Sequence, residues 1–421
     1  MFRKAKNIFL IGMLMFFFTA CSPLTSTKQD YFKDKALESI VLQEIESEDG
    51  NLEEDDFASI KTLDASGSGI SDINGIESLT SLNYLDVSGN DIVDLTPLLT
   101  LEKLSEVHLG DVYFTGDMDA PVWSVPEKLE EKGVEVNVRE RLSFDEHDGP
   151  SEGVFYRIQK DNQTVYLLGS IHIGDQSLYP LHNQIEAAFE EADYLAVEID
   201  IADVNEIEVS KTMMEKGMYT DGTVLSSVVS EKVFNEAAGH LSSLGLNEVM
   251  LDQFQPWFVS MILSEVALEK TNLTGKDGID LHFLNRAKEK NIPIISLESV
   301  ESQIASISSA PKEEQIASLE DMLDTFDIYE EELTQLIRLW RSGNIEVFSQ
   351  LRQINQGSEQ LAMDERDLLM TGQIEEFLNA DERETYFIVV GSLHLAGKNS
   401  IVDLLENRGY TVEPHAEFRT N

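Results

Sequence analysis

Cysteine is almost absent: Cys21 is the single one in 421 residues. No disulfide can therefore form within the chain, and no cysteine-built zinc site either. Positive charge is scarce as well, with 31 Lys and Arg against 78 Asp and Glu and a formal net charge of −47. So acidic a chain lacks the basic footprint that nucleic acid or an anionic membrane surface requires, which argues against nucleic acid as a partner. A membrane-spanning run is missing too. Ile8 to Ala20 holds 13 apolar or small residues, short of the about 20 that a transmembrane helix needs. What is there, 42 % apolar and 26 % charged residues, is a globular composition. At about 150 residues per domain, the length allows two or three domains.

The short apolar run suits an address. It follows Arg3, Lys4 and Lys6 and ends Phe18-Thr19-Ala20-Cys21, the layout of a secretory signal peptide. The ending resembles a bacterial lipobox, with Phe18 standing where an aliphatic residue is usual. The resemblance implies cleavage after residue 20, lipidation of Cys21, and an extracytoplasmic lipoprotein anchored in the lipid bilayer. Residues 1–20 are read as signal peptide, and 21–30, polar with Ser, Thr and Pro, as the tether.

A repeat follows. Ile60-Lys61-Thr62-Leu63-Asp64-Ala65 recurs as Leu82-Asn83-Tyr84-Leu85-Asp86-Val87 and as Leu104-Ser105-Glu106-Val107-His108-Leu109, at a constant 22-residue step. Asn90 and Ile92 complete the middle copy. The pattern resembles a leucine-rich repeat, in which each copy supplies a short strand and Asn90 bonds the turning backbone. Two full copies and a partial one bury little alone, so a helix from Tyr31 to about Ile45, with Leu37, Ile40, Val41 and Ile45 on one face, is read as the N-terminal cap. A last strand is expected near Val134–Val138. The module thus covers 31–140 and could hold a protein partner. Residues 141–152, with Asp145-Glu146-His147-Asp148, read as a solvated acidic linker and lack the spacing of a calcium loop.

From residue 153 to 421 the texture changes. Val154–Ile158 and Thr164–Leu168 form a hairpin signal, and Tyr194–Val197, Ile292–Ile295 and Tyr386–Val390 have strand length. Helical periodicity fills the gaps at Asn183–Ala192, Phe254–Leu268, Asp280–Lys288 and Glu331–Leu339. Strands alternating with helices predict an α/β domain built on a mixed, largely parallel sheet with surrounding helices. The stripe Trp257, Phe258, Met261 and Leu263 reads as core, and His182, His240, His282 and His415 as surface residues.

Ligands of such sheets sit beyond the carboxyl ends of the strands. Thr164–Leu168 leads into Gly169-Ser170-Ile171-His172, and Tyr386–Val390 into Gly391-Ser392-Leu393-His394, the same Gly-Ser-x-His frame twice. Tyr194–Val197 ends in Glu198, and Ile292–Ile295 leads to Glu298. Two imidazoles and two carboxylates at one sheet edge suit a metal-assisted or general acid–base hydrolase. His172, His394 and Glu198 are the candidate metal ligands, with Glu198 alternatively the base that activates water. Glu298 is read as orienting a ligand or binding substrate. Arg366 either pairs with a pocket carboxylate or clamps a substrate carboxylate.

These blocks, with Tyr179-Pro180-Leu181, Gly278-Ile279-Asp280, Leu297-Glu298, Gln303, Glu365-Arg366 and Gly409-Tyr410-Thr411-Val412, resemble the TraB/GumN (pheromone-shutdown, Tiki-like) family over about 151–415. Asp367 departs from that pattern, where asparagine is expected. The resemblance implies a compact α/β domain with a metal-dependent hydrolase site, of metalloprotease type in some members. Two readings follow. One is a lipid-anchored peptidase using a divalent metal (manganese, cobalt or zinc) on secreted peptides or proteins. The other is a non-catalytic surface protein that sequesters a peptide signal.

Overall fold

The computed structural model describes residues 31–45, 54–114, 121–142, 144–145, 147–354 and 357–415. Residues 1–30, which include the expected signal peptide, Cys21 and the expected tether, lie outside the described residues, as does Glu146 of the acidic cluster. Among the described residues no helix is long and apolar enough to cross a membrane. Among the described residues, those up to Val112 with 121–139 make one compact unit, and Tyr113, Phe114 and those from Glu140 onward make the other.

The first unit opens on the helix Lys35–Glu44. It starts later than its apolar pattern because Asp34 caps it, accepting from the amides of Ala36 (2.8 Å) and Leu37 (3.3 Å). Leu37 and Val41 are fully buried. Three short strands follow: β1 (Thr62–Asp64), β2 (Tyr84–Asp86) and β3 (Glu106–Phe114). They pair in parallel with Leu63 opposite Leu85 and Leu85 opposite Val107, so the 22-residue step becomes the register. Those middle residues point inward and their neighbours outward, as the two-residue period of a strand requires. Asn90 ties adjacent coils. Its Oδ1 accepts from the amides of Ser68 (3.0 Å) and Ile70 (2.9 Å), and its Nδ2 donates to the carbonyls of Ala65 (2.9 Å) and Val87 (2.8 Å). A helix at Pro121–Glu131, buried through Val125 and Leu129, precedes β4 (Glu135–Leu142), which completes the order β1-β2-β3-β4. That helix is not anticipated by the sequence reading, and the strand runs further than Val134–Val138 suggests.

The second unit is a mixed α/β fold around a six-stranded sheet. Its strands are β5 (Val154–Lys160), β6 (Gln163–Ser170), β7 (Tyr194–Val197), β8 (Ile294–Ser296), β9 (Thr385–Gly391) and β10 (Val412–Pro414), in the order β10-β5-β6-β9-β7-β8. β6, β9, β7 and β8 are parallel, and the hairpin partner β5 and the edge strand β10 are antiparallel. The central strands are apolar on both faces, the burial expected of parallel strands covered by helices. β8 begins two residues later than Ile292. The preceding helix Ile279–Lys290 ends on Asn291 in the left-handed region (φ 59°), and the Ile292 amide bonds back to Ala287 (2.9 Å).

A helical layer packs a second apolar cluster around Pro256–Glu269, where Trp257, Phe258, Val259 and Leu263 are buried. The acidic stretch past residue 308 forms the helices Lys312–Thr325 and Tyr329–Ser342. The four remaining histidines of this unit that the sequence puts at the surface all have partners. His182 caps the helix Asn183–Glu190, and His240 stacks on Phe326 (3.8 Å between ring centroids). His282 packs under Tyr179 (4.9 Å), and His415 bonds Glu152 (2.5 Å).

Candidate functional site

β6 and β9 are neighbours, and their register sets Ser170 opposite Gly391. The two Gly-Ser-x-His frames therefore leave the sheet side by side. Gly169 is needed there: a Cβ would lie 2.8 Å from Ser392 Oγ and 2.9 Å from its Cα. Neither serine is free to react. Ser392 Oγ donates to the Ser170 carbonyl (2.9 Å) and Ser170 Oγ to Asp280 Oδ1 (2.8 Å), and both residues are buried. The Ser392 hydroxyl ties the two frames together and the Ser170 hydroxyl ties the first of them to Asp280, and both histidines line the cleft beyond.

Each histidine is held by a carboxylate at Nδ1. His172 Nδ1 lies 2.8 Å from Asp280 Oδ2, and His394 Nδ1 makes a short bond to Asp367 Oδ1. Asp280 is brought up by the helix Ile279–Lys290, whose approach is so close that a Cβ on Gly278 would sit 2.2 Å from the His172 carbonyl oxygen. Asp367 is fully buried, and Arg352, also buried, lies behind it. Arg352 reaches Asp367 Oδ2 (2.6 Å), Asp364 Oδ1 (2.8 Å) and the Leu393 carbonyl (2.7 Å). The three contacts fix the loop carrying His394 as well as the carboxylate behind it.

The carboxylates come from the next two strands. Pairing of β7 with β8 continues past their ends, with the Glu298 amide bonded to the Glu198 carbonyl (2.9 Å), so the two glutamates stand adjacent. Arg366, from the helix Gly357–Leu378, bonds both. Its Nε and Nη2 embrace Glu298 at 2.9, 3.1 and 2.8 Å, and Nη2 also reaches Glu198 Oε2 (2.7 Å). Gln303 Nε2 bonds Glu198 Oε2 (2.8 Å) and Glu298 Oε2 (3.3 Å). The remaining oxygen, Glu198 Oε1, accepts from the Gly391 amide (2.6 Å) and faces His394 Nε2 across 3.7 Å. Arg366 thus pairs with pocket carboxylates, and its bidentate edge is engaged.

These contacts set the charges. Burial works to raise the carboxyl pKa of Glu198, but His394, His172, the Gly391 amide and Arg366 outweigh it and hold the pKa below the ordinary value. Burial alone would lower His172; the bond and charge of Asp280, with Glu198 beyond, reverse that and raise it to about 9. The imidazole is still 65 % exposed to the cleft, so water weakens this coupling. Burial raises Asp367, and His394 and Arg352 offset it only in part. For Arg366, burial opposes the charge but the two glutamates prevail and raise its pKa.

All of this faces a cleft of about 700 Å³ lined by His172, His394, Glu198 and Arg366. Leu333, Leu336, Phe348 and Leu351 add apolar lining to the same cleft. Glu298 lies behind Arg366 with its side chain 4 % exposed, so it holds the arginine rather than a substrate. The donor chemistry suits a divalent metal. Both imidazoles are anchored by a carboxylate at Nδ1 and present Nε2, as metal-ligating histidines do. The spacing of His394 Nε2 and Glu198 Oε1, 3.7 Å, is one that two ligands of a single ion can adopt. Among the described residues, no three His, Cys, Asp or Glu side chains are gathered into a ready cage.

Asp280, Gln303, Asp367 and Arg352 are site residues that the strand-end pattern does not mark. Asp280 and Gln303 lie within the motif blocks, and Asp367 is the position at which the pattern departs. Arg352 carries no local signal at all.

The sequence profile of the TraB/PrgY/gumN family matches residues 154–414. The uncharacterised protein YbaP of Escherichia coli (strain K12) is 25 % identical over 247 residues, 58 % of this chain and 88 % of YbaP. An uncharacterised protein of Treponema pallidum (strain Nichols) is 27 % identical over 176 residues, 41 % of this chain and 51 % of its own. Among solved structures, an internalin (inlF) from Listeria monocytogenes shares 22 % identity at a TM-score of 0.22. It covers 29 % of this chain and 36 % of the internalin, too slight a likeness to carry an argument.

Proposed function

The chain belongs to the TraB/PrgY/gumN family through residues 154–414, and from that premise we propose that its second unit is a metal-dependent hydrolase, a peptidase acting on secreted peptides or proteins. The observation that carries the reading is the pair of adjacent Gly-Ser-x-His frames, which turn His172 and His394 toward one cleft beside Glu198. His172, His394 and Glu198 would hold the ion (manganese, cobalt or zinc), which when bound supplies a Lewis acid for the scissile carbonyl and an acidified water.

The chain's own residues prepare that chemistry. Asp280 and Asp367 set the orientation of the imidazoles, each fixing Nδ1 and presenting Nε2. Glu198, kept ionised by its neighbours, is a weak base but a persistent anion, and its Oε1 faces His394 Nε2 across 3.7 Å, the two atoms that would share the ion. Arg366 and Gln303 keep Glu198 in place, and Glu298 secures Arg366. The apolar lining limits competing water.

On the same reading, Cys21 is lipidated and the protein stands outside the membrane, anchored in the bilayer. The 22-residue coils of the first unit are a leucine-rich repeat module for a protein partner. The full chain, incubated with a mixture of peptides and manganese or cobalt, should cleave them, and a chelator should stop it. His172→Ala and His394→Ala should each abolish cleavage with the fold retained. Saturable peptide binding with no cleavage under any metal would establish the sequestering alternative.

A further inference from the structure

The first Gly-Ser-x-His frame outruns its strand partner. β5 begins at Val154, opposite Gly169, so past that pair no residue of β5 is left to bond the frame. Carbonyls taken out of water still need donors, and three other elements supply them. Trp340 Nε1 donates to the Gly169 carbonyl (2.7 Å), Ser392 Oγ to that of Ser170 (2.9 Å) and the Ile279 amide to that of Ile171 (3.0 Å). Ser392 belongs to the second frame and Ile279 to the helix that brings Asp280. Trp340 comes from neither. It is fully buried, and Gly153 makes room for it: a Cβ there would lie 3.1 Å from Cζ2 of the indole.

Trp340 lies on the helix Tyr329–Ser342, four residues after Leu336 and seven after Leu333, hence on the same helix face. That face gives the cleft two apolar lining residues and, a turn further on, grips the frame of His172. The helix Ile345–Ile354 repeats the arrangement for His394. Phe348 lines the cleft, and Arg352, four residues on, holds the Leu393 carbonyl (2.7 Å).

We propose that Trp340 is a positioning residue of the metal site, setting where His172 stands without lining the cleft itself. The inference rests on the metal-dependent reading and adds to it a residue that no strand-end motif marks. Asp280 fixes the rotation of the His172 ring, whereas the indole N–H fixes the backbone that carries it. Without that N–H, the Gly169 carbonyl is buried with its donor gone, and the frame is no longer held against the helix. The ligand then meets the ion from a less fixed position, as when a partner behind a metal-bound histidine is lost.

The test uses the full chain with manganese as the probe, the free ion being counted by electron paramagnetic resonance. Trp340→Phe removes the N–H and keeps an aromatic ring. Benzothienylalanine incorporated at position 340 removes the N–H and keeps the volume as well. Each should weaken manganese binding by about 10-fold. At saturating manganese, kcat for a cleaved peptide should fall while KM stays. Leu339→Ala, at a fully buried position of the same helix, should lower the melting temperature and leave manganese affinity unchanged. Wild-type affinity in the benzothienylalanine variant, or an equal loss in Leu339→Ala, overturns the inference and leaves the metal-dependent reading standing. A wild type that binds none of manganese, cobalt and zinc overturns both.

Discussion

Replacing Arg352 by Met should be among the most damaging single changes in the second unit. The guanidinium is 1 % exposed, forms an ion pair with Asp367 Oδ2 at 2.6 Å, and donates to Asp364 Oδ1 at 2.8 Å and the Leu393 carbonyl at 2.7 Å. Methionine fills much of the volume but leaves Asp367, itself fully buried, with His394 as its remaining ionic partner. Removing one member of a buried ion pair costs about 3–5 kcal/mol. The lower end applies here, because Asp367 already has a raised pKa and can take up a proton instead of remaining an uncompensated anion. For a unit of this size each kcal/mol moves the midpoint by about 2–4 °C, so the transition should fall by about 6–12 °C. Differential scanning calorimetry of the full chain resolves it, since the first unit's transition should not move. The double variant Arg352→Met with Asp367→Asn removes the orphaned charge and should be more stable than Arg352→Met alone. A loss under about 1 kcal/mol, or a double variant no better than the single, would refute the view that Arg352 neutralises the carboxylate behind His394.

Further outcomes concern His172, two packing positions and the N-terminus. His172 should keep its proton through neutral pH and release it near 9 in the metal-free protein, followed by NMR, and Asp280→Asn should move that titration down. Because the folded pKa is raised, the Asp280–His172 contribution to stability is complete below the unfolded value of about 6.5. It fades as pH rises through about 9, so wild type and Asp280→Asn should converge in alkaline urea titrations. Gly169→Ala puts a Cβ 2.8 Å from Ser392 Oγ and should cost about 1–3 kcal/mol by thermal melting. Asn90→Ala strands the amides of Ser68 and Ile70 and should lower the first unit's urea midpoint, a loss of about 1–3 kcal/mol. Cys21→Ala should release the protein from the membrane fraction or leave it unprocessed, whereas unchanged retention with an unmodified Cys21 would remove the lipoprotein reading.

Much of the architecture was legible because it rests on local periodicity. Leu63, Leu85 and Val107 announce a repeating strand by spacing alone, and the same residues form the parallel register. The apolar runs of the second unit become β5, β6, β7 and β9 with ends shifted by a residue or two. The helix Pro121–Glu131 is not legible in the sequence because two prolines and acidic neighbours mask its apolar face, which is settled by packing of Val125 and Leu129. β8 starts later than its apolar run because Ile292, apolar and β-branched like a strand residue, finishes a helix instead.

The site divides along the same line. By itself the sequence determined that two Gly-Ser-x-His frames end two strands and that Glu198 and Glu298 end two others, since each statement concerns neighbours along the chain. Tertiary structure decided that β6 lies against β9, that Asp280 and Asp367 hold the two imidazoles, and that Arg366 binds both glutamates. It also decided that Arg352 neutralises the carboxylate behind His394. Each pair joins residues from different elements of the fold, so the pairing obeys no period. It follows from desolvation: a carboxylate or guanidinium taken out of water is tolerable only beside an opposite charge, and only the folded chain brings the two together.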